Sequence, residues 1–261
     1  MTLRALLFDL DGTLAETESH GHRPAYNDAF RELGLRFRWS ERLYKRLLER
    51  PSGKDRLHHY LNRYEPELGE HTEAVSESAE AWVDHVHNVK SQHFNRRLEE
   101  GQVPLRPGVE RLLREASDSG LRLAVVSNAS ARSIKSFIKH GLGAELAKRI
   151  SLVVGGESGF ARKPAPDLYR HAVSKLKLMH YECIAIEDSA IGLTAARAAG
   201  IPTVITLNAE TLSQDFLGAA LVLNHLGEPQ QPAAVLTGHM DEPCLTLKTL
   251  RRIAQQAAPR L

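Results

Sequence analysis

The stretch Leu6-Leu7-Phe8-Asp9-Leu10-Asp11-Gly12-Thr13-Leu14 runs from a short apolar segment into two acids, a glycine and a threonine. Residues 4–8 read as a buried strand that stops at the turn signal of Gly12. Asp9 and Asp11 are two residues apart, so on an extended backbone they point to the same side. Paired carboxylates at the end of an apolar strand are costly unless a cation or another partner offsets them. A hard divalent cation such as Mg2+ is the usual oxygen-ligand solution. The plainer reading is a strand that closes in an Asx-turn.

Beyond Leu14 the pattern changes. Glu16, Glu18, His20, His22 and Arg23 form a polar segment, and apolar residues then recur at helical spacing as far as Phe94. Ala25, Phe30 and Leu33 mark a first helix, ended by Gly34, and Leu43, Leu47 and Leu48 a second, stopped by Pro51. Leu57, Tyr60, Leu61 and Tyr64 mark a third, stopped by Pro66; Val75, Ala79, Trp82, Val83, Val86 and Phe94 fit a longer fourth. From residue 103 strands and helices alternate. Strands are expected over 121–127, 152–154, 183–187, 203–207 and 220–223, and helices over 109–119, 132–140, 166–176 and 190–199. The fold class is therefore α/β: a Rossmann-like parallel sheet core, residues 1–15 plus 103–227, with an inserted four-helix cap over 16–102. Residues 228–261 break the alternation and read as a loosely packed C-terminal appendage.

The bulk numbers exclude several classes. The chain has 261 residues, 42% hydrophobic and 25% charged, which suits a globular protein. Its 34 basic and 32 acidic residues nearly balance, so neither nucleic acid nor a membrane surface is an expected partner. Cys183 and Cys244 make no disulfide framework. With no signal-peptide pattern and no apolar run of membrane length, the chain is expected to be cytoplasmic, and it is read as a monomer. The 13 histidines show no zinc-ligand spacing, and His20 and His22 read as polar surface positions beside the cap entry.

In a doubly wound sheet, ligands bind outside the carboxyl ends of the strands. Three expected strands end there in useful residues: Asp9 and Asp11, Ser127-Asn128, and Glu187-Asp188-Ser189, with Lys163-Pro164 just ahead of a helix. Each has a plainer reading as a turn former, a solvated lysine or a helix cap. Taken in order, the four motifs resemble those of the haloacid dehalogenase superfamily, and the insertion resembles its four-helix cap. The resemblance implies a phosphatase that uses Mg2+. Asp9 would be the nucleophile and form an aspartyl-phosphate, and Asp11 the acid and base. Ser127 and Lys163 would stabilise the transferring phosphoryl group, with Asn128 beside it. The Mg2+ ligands implied are Asp9, Asp188, Glu187 and the Asp11 carbonyl.

The cap carries a second signal. Lys54 and Arg56 follow a Pro-Ser-Gly turn and open a helix, a place where backbone N–H groups and two cations suit an anion. This segment, with Glu18 and Tyr44, resembles the CbbY-type phosphatases, which act on xylulose-1,5-bisphosphate. On that resemblance Glu18, Tyr44 and Gly53 are expected to contact substrate, and Lys54 and Arg56 to hold the phosphate that is not removed. The expected partner is thus a small sugar phosphate. A beta-phosphoglucomutase-like sugar phosphomutase, or a binding protein without turnover, would share many of these residues.

Overall fold

The apolar run that leads into Asp9 forms strand β1 (Ala5–Phe8), fully buried along its length. This computed structural model describes residues 2–50, 52–156 and 159–258. Those residues divide into two units, one of residues 1–16 and 104–261 and one of 17–103. Pro51, read as the stop of the second helix, lies outside the described residues.

The second unit opens on a π-helical turn (Thr17–His22) that runs straight into α1 (Arg23–Glu32). There follow α2 (Glu41–Leu47), α3 (Gly53–Tyr64), the short α4 (Thr72–Glu77) and α5 (Ala79–Glu99). Ser40, Ser52 and Ser78 cap α2, α3 and α5 by accepting a hydrogen bond from a first-turn N–H, as N-cap serines do. The expected fourth helix is split at Ser78, whose extended backbone ends α4 and starts α5. This unit packs on aromatic residues. Trp39, on the connection between α1 and α2, is fully buried, with its ring 4.5 Å from that of Tyr26 and 5.4 Å from that of Tyr60. Asn27 fixes that connection by bonding both the N–H (2.7 Å) and the carbonyl (3.0 Å) of Trp39.

The first unit continues with α6 (Val109–Asp118), β2 (Arg122–Val126), α7 (Ala131–His140), α8 (Gly143–Ala147) and β3 (Ile150–Val154). It proceeds through α9 (Asp167–Lys175), β4 (Cys183–Glu187), α10 (Ala190–Ala198), β5 (Thr203–Thr206) and β6 (Leu221–Leu223). The last elements are β7 (Val235–Thr237) and α11 (Leu247–Ala257). The sheet order is β3-β2-β1-β4-β5-β6-β7. All neighbours are parallel except β7, which is antiparallel to β6. Leu7, Ala124, Val126 and Ala185 face Leu168, Ala172 and Ala195 of α9 and α10. The alternate residues Leu6, Phe8, Leu123, Val125, Ile184 and Ile186 point to the other face and are also fully buried. Burial on both sides explains why these strands read as continuous apolar runs. The chain reverses its progress across the sheet between β1 and β4, and this switch point sets the site.

Among the described residues past Gly227, the segment from Cys244 to Ala254 is not loosely packed. It joins the first unit. Leu247, Leu250, Ile253 and Ala254 of α11 are buried, as are Cys244 and Leu245. Arg111 of α6 donates to the Leu245 carbonyl (3.0 Å), and Leu245 N–H donates to Leu226 O (2.8 Å). The reading as an appendage failed because the connection before α11 is rich in Pro and Gly, while the docking rests on contacts far away in sequence. No described helix is long and apolar enough to cross a membrane. Leu250→Ala is expected to cost about 3 kcal/mol of stability, the usual result of truncating a buried leucine. Urea denaturation checks this, and a loss below about 0.5 kcal/mol, the surface-substitution range, would contradict the docking.

Candidate active site

Pairing of β1 with both β2 and β4 brings three strand ends to one edge. Asp9 follows directly on β1, and its N–H donates to Ile186 O (2.9 Å). Ser127 follows β2, while Glu187 ends β4 and Asp188 follows it. After Asp9 the chain turns tightly: Gly12 N–H donates to Ala15 O (3.0 Å) and Leu14 N–H to Leu10 O (2.9 Å). Gly12 has a positive φ of 80°, and a Cβ there would run into Asp188 and Asn208. A side chain is therefore excluded on both conformational and steric grounds.

Lys163 joins the three strand ends. Its buried ammonium donates to Asp9 Oδ1 (2.6 Å), Glu187 Oε1 (2.5 Å) and the Val126 carbonyl (2.7 Å). The loop that delivers it is held by Asn128, whose side chain accepts from Lys163 N–H (2.8 Å) and donates to Lys163 O (3.1 Å). The Asn128 side chain thus positions the lysine. Ser127 is buried, and its hydroxyl oxygen accepts from Ala129 N–H (3.1 Å). Ser189, open between roles in the sequence, is the N-cap of α10 and accepts from Gly192 N–H (3.2 Å).

The charges are expensive. Burial, and then the carboxylates of Glu187, Asp188 and Asp11, push Asp9 well above the ordinary aspartate range, while Lys163 opposes them. Asp188 is pushed up to about 8 by burial and by Glu187. Burial works against the Lys163 charge, but Asp9 and Glu187 outweigh it and hold its pKa above the usual lysine value. Asp9, Glu187 and Asp188 each bring a carboxylate oxygen within 4.8 Å of the others. An all-oxygen, acid-rich cluster fits a hard divalent cation such as Mg2+, which binds through few carboxylates and keeps part of its water. Within it Glu187 is the most committed: Oε1 accepts from Lys163 and from Tyr169 Oη (2.6 Å), and the carboxylate lies where a Cβ on Gly192 would sit. Asp9 and Asp188 are the freer pair.

The helical unit holds a separate polar cluster. Tyr44 Oη donates to Glu18 Oε2 (2.5 Å), and Arg56 donates to Tyr44 Oη (3.1 Å) and to both Glu18 oxygens (3.4 Å). Three of the expected substrate contacts therefore converge. Lys54 is not with them: it pairs with Asp84 (2.6 Å) and is half exposed. Positions i and i+2 of a helix lie about 200° apart, so Lys54 and Arg56 leave α3 on different sides. The Gly53 carbonyl accepts from Tyr26 Oη (2.9 Å).

Sequence reading missed several residues. Tyr169 shows in the sequence only as a core aromatic on α9, and its hydroxyl partner Glu187 is unreadable there. Arg106 and Asn208, both buried beside the Gly12 turn, carried no motif. In the helical unit, Lys90 is buried with its ammonium 2.8 Å from His22 Nδ1 and 5.1 Å from the rings of Tyr26 and Phe94. His22 stacks on Phe94 at 4.1 Å, so it is no plain surface histidine. Burial, together with Lys90 and Lys54, pushes nearby His87 down to about 4.

Known proteins share this architecture. A family model for haloacid dehalogenase-like hydrolases matches residues 3–200. The protein CbbY of Cupriavidus necator is 42% identical over 230 residues, spanning 88% of this chain and 88% of that protein. A crystal structure of CbbY from Rhodobacter sphaeroides with phosphate superposes with a TM-score of 0.74 at 31% identity, over 86% of this chain and 95% of that one. A mutant of that CbbY in complex with xylulose-(1,5)bisphosphate gives a TM-score of 0.73 at 31% identity, with the same coverage of 86% and 95%.

The raised Asp188 sets a pH dependence. An unfolded aspartate titrates near 4. Between that value and about 8 the folded chain holds a proton that the unfolded chain has released. Stability of the metal-free protein is therefore expected to fall as pH rises through that window. In scanning calorimetry after chelation, Tm should drop between about pH 5 and pH 8, and Mg2+ should raise it more at the higher pH. A Tm that does not respond to Mg2+ at either pH would argue against a cation among these carboxylates.

Proposed function

This chain belongs to the haloacid dehalogenase-like hydrolases and is a phosphatase of that family, and for its substrate we propose a small sugar bisphosphate, xylulose-1,5-bisphosphate foremost. The observation that carries this reading is the buried Asp9, Lys163, Glu187 and Asp188 cluster at the sheet switch point. The CbbY structure that holds xylulose-(1,5)bisphosphate supports the choice of sugar.

In the proposed reaction, the Asp9 carboxylate attacks phosphorus. An oxygen–phosphorus bond forms on Asp9 as the ester bond to the sugar breaks. Asp11 gives its proton to the leaving sugar oxygen, then takes one from a water that attacks the aspartyl-phosphate, which frees phosphate and restores Asp9. Lys163, held to one Asp9 oxygen, fixes the orientation of that carboxylate and opposes the charge gathered around phosphorus. Ser127, with the backbone at Asn128, supplies hydrogen bonds to the phosphoryl oxygens. Mg2+ would be held by Asp9, Asp188 and the Asp11 carbonyl, with Glu187 near, and supplies charge neutralisation for the phosphoryl group.

The phosphate that is not removed is assigned to the helical unit. The bonds of Arg56 to Glu18 and Tyr44, the start of the same helix at Gly53 and the positive charge of Lys54 support this reading.

A panel of sugar monophosphates and bisphosphates, read by free phosphate, tests the assignment. Asp9→Asn is expected to lower Mg2+-dependent release by at least about 10^3-fold with an unchanged circular dichroism spectrum, as loss of a covalent nucleophile does. Retained turnover would remove Asp9 from the nucleophile role. Arg56→Ala should cut kcat/KM on the bisphosphate by about 100-fold, the scale of a lost charge-assisted contact, and on 4-nitrophenyl phosphate far less. Equal losses on both would sink the second-phosphate assignment.

A further inference from the structure

Asn208 follows the end of β5 and is buried, yet no step above uses it. Its side-chain oxygen accepts from Glu210 N–H (3.0 Å), Thr211 N–H (3.1 Å) and the Thr211 hydroxyl (3.1 Å). Three donors on one oxygen fix which end of the amide is which. The amide nitrogen must then face the other way, and there it donates to Asp188 Oδ2 (2.7 Å) and to the Gly12 carbonyl (3.3 Å).

The Gly12 carbonyl is gripped from a second side. Arg106, also buried, donates to it (2.5 Å) and to Thr206 O (2.8 Å), Thr206 Oγ1 (3.0 Å), Leu207 O and Asn224 O (2.7 Å). Its Nε lies 2.9 Å from Glu16 Oε1. One guanidinium thus ties the ends of β5 and β6 to the turn that carries Asp11. The ties matter because Gly12, without a side chain, would otherwise leave that turn soft.

We propose that Asn208 is a positioning residue for the metal and phosphoryl site, acting by clamping Asp188 Oδ2 and the Gly12 turn against each other. With Oδ2 held by Asn208, the Asp188 carboxylate has a fixed orientation in which it would hold a cation. With the Gly12 carbonyl pinned between Asn208 and Arg106, the Asp11 backbone cannot swing away. This inference rests on the reading of the acids as a divalent-metal site.

The test uses the full chain, stripped of metal and titrated with Mn2+ by isothermal calorimetry, alongside steady-state kinetics at saturating Mg2+. Asn208→Ser keeps an oxygen that can cap the Thr211 N–H but is too short to reach Asp188. It is expected to weaken Mn2+ binding about tenfold, the lower end for a residue that orients a metal ligand, and to reduce kcat more than it raises KM. Thr211→Val is the control: it loosens the same loop and leaves the Asn208 amide on Asp188, so Mn2+ affinity should stay within about twofold while Tm falls. Unchanged Mn2+ affinity in Asn208→Ser, with wild type binding normally, would overturn the proposal alone. Equal weakening in both variants would also overturn it, since loop order would then explain the effect. If wild type bound no Mn2+, the metal-site reading would fail and this inference with it.

Discussion

The Lys163 ammonium is the interaction on which the core unit depends. It contacts Asp9 beyond β1, Glu187 at the end of β4 and the Val126 carbonyl at the end of β2. Those strands are neighbours, and their ends form the switch point of the sheet. Without a cation there, buried carboxylates would face one another at the edge of an apolar sheet, an arrangement that neutralises by protonation or opens to water. A buried ion pair adds little net stability, since desolvation offsets much of the attraction. Its value here is geometric: it sets which oxygen of Asp9 is held and which strand ends stay together. Asn128 and Tyr169 extend that control, one by fixing the loop that brings Lys163, the other by holding Glu187.

Much of the core was legible because its determinants are local. Strands buried on both faces are apolar throughout, and the four motifs stand at their ends or at a helix start, so β1, β2, β4 and β5 could be read within a residue or two. The strand β7 could not. All three of its residues are exposed, so its sequence bears no mark of burial, and only its pairing with β6 makes it a strand. The docking of α11 escaped for the same reason: Leu247, Leu250 and Ile253 show an amphipathic face, but nothing in the chain says that α6 and β4 are among the surfaces they meet. Asp9, Lys163 and Asp188 have sequence signatures, whereas Arg106 and Asn208 act on backbone atoms about 90 and 200 residues away, and such a pairing has no period.

The helical unit shows the opposite limit. Lys54 and Arg56 stand two apart beside one helix start, and the sequence invited a joint reading. Helical geometry separates them, and each finds its own acid, Asp84 for Lys54 and Glu18 for Arg56. The Arg56 pair is more enclosed and adds the Tyr44 hydroxyl and ring, with the guanidinium 5.7 Å from the ring centroid. A guanidinium so held keeps its charge and its direction, whereas the half-exposed Lys54 is a mobile point charge. The two cations are therefore unequal, and the rigid one is better suited to reading the shape of a substrate.

The cost of the active site is met by neighbours rather than by the sheet as a whole. Each buried acid has its own donor: Lys163 for Asp9, Tyr169 for Glu187 and Asn208 for Asp188. Burial still wins at Asp188, whose pKa stays near 8, so these donors do not complete the site. Below that value Asp188 keeps a proton, and a divalent cation among the three carboxylates would take the place of that proton. Any ligand that binds only the folded state also stabilises it. The same excess of carboxylates that costs stability is thus what would favour a cation, which ties the stability of this edge to its chemistry. Asn208 and Gly192 touch the acids without being acids, and a change at either moves a carboxylate: a Cβ on Gly192 would displace Glu187, and loss of the Asn208 amide frees Asp188.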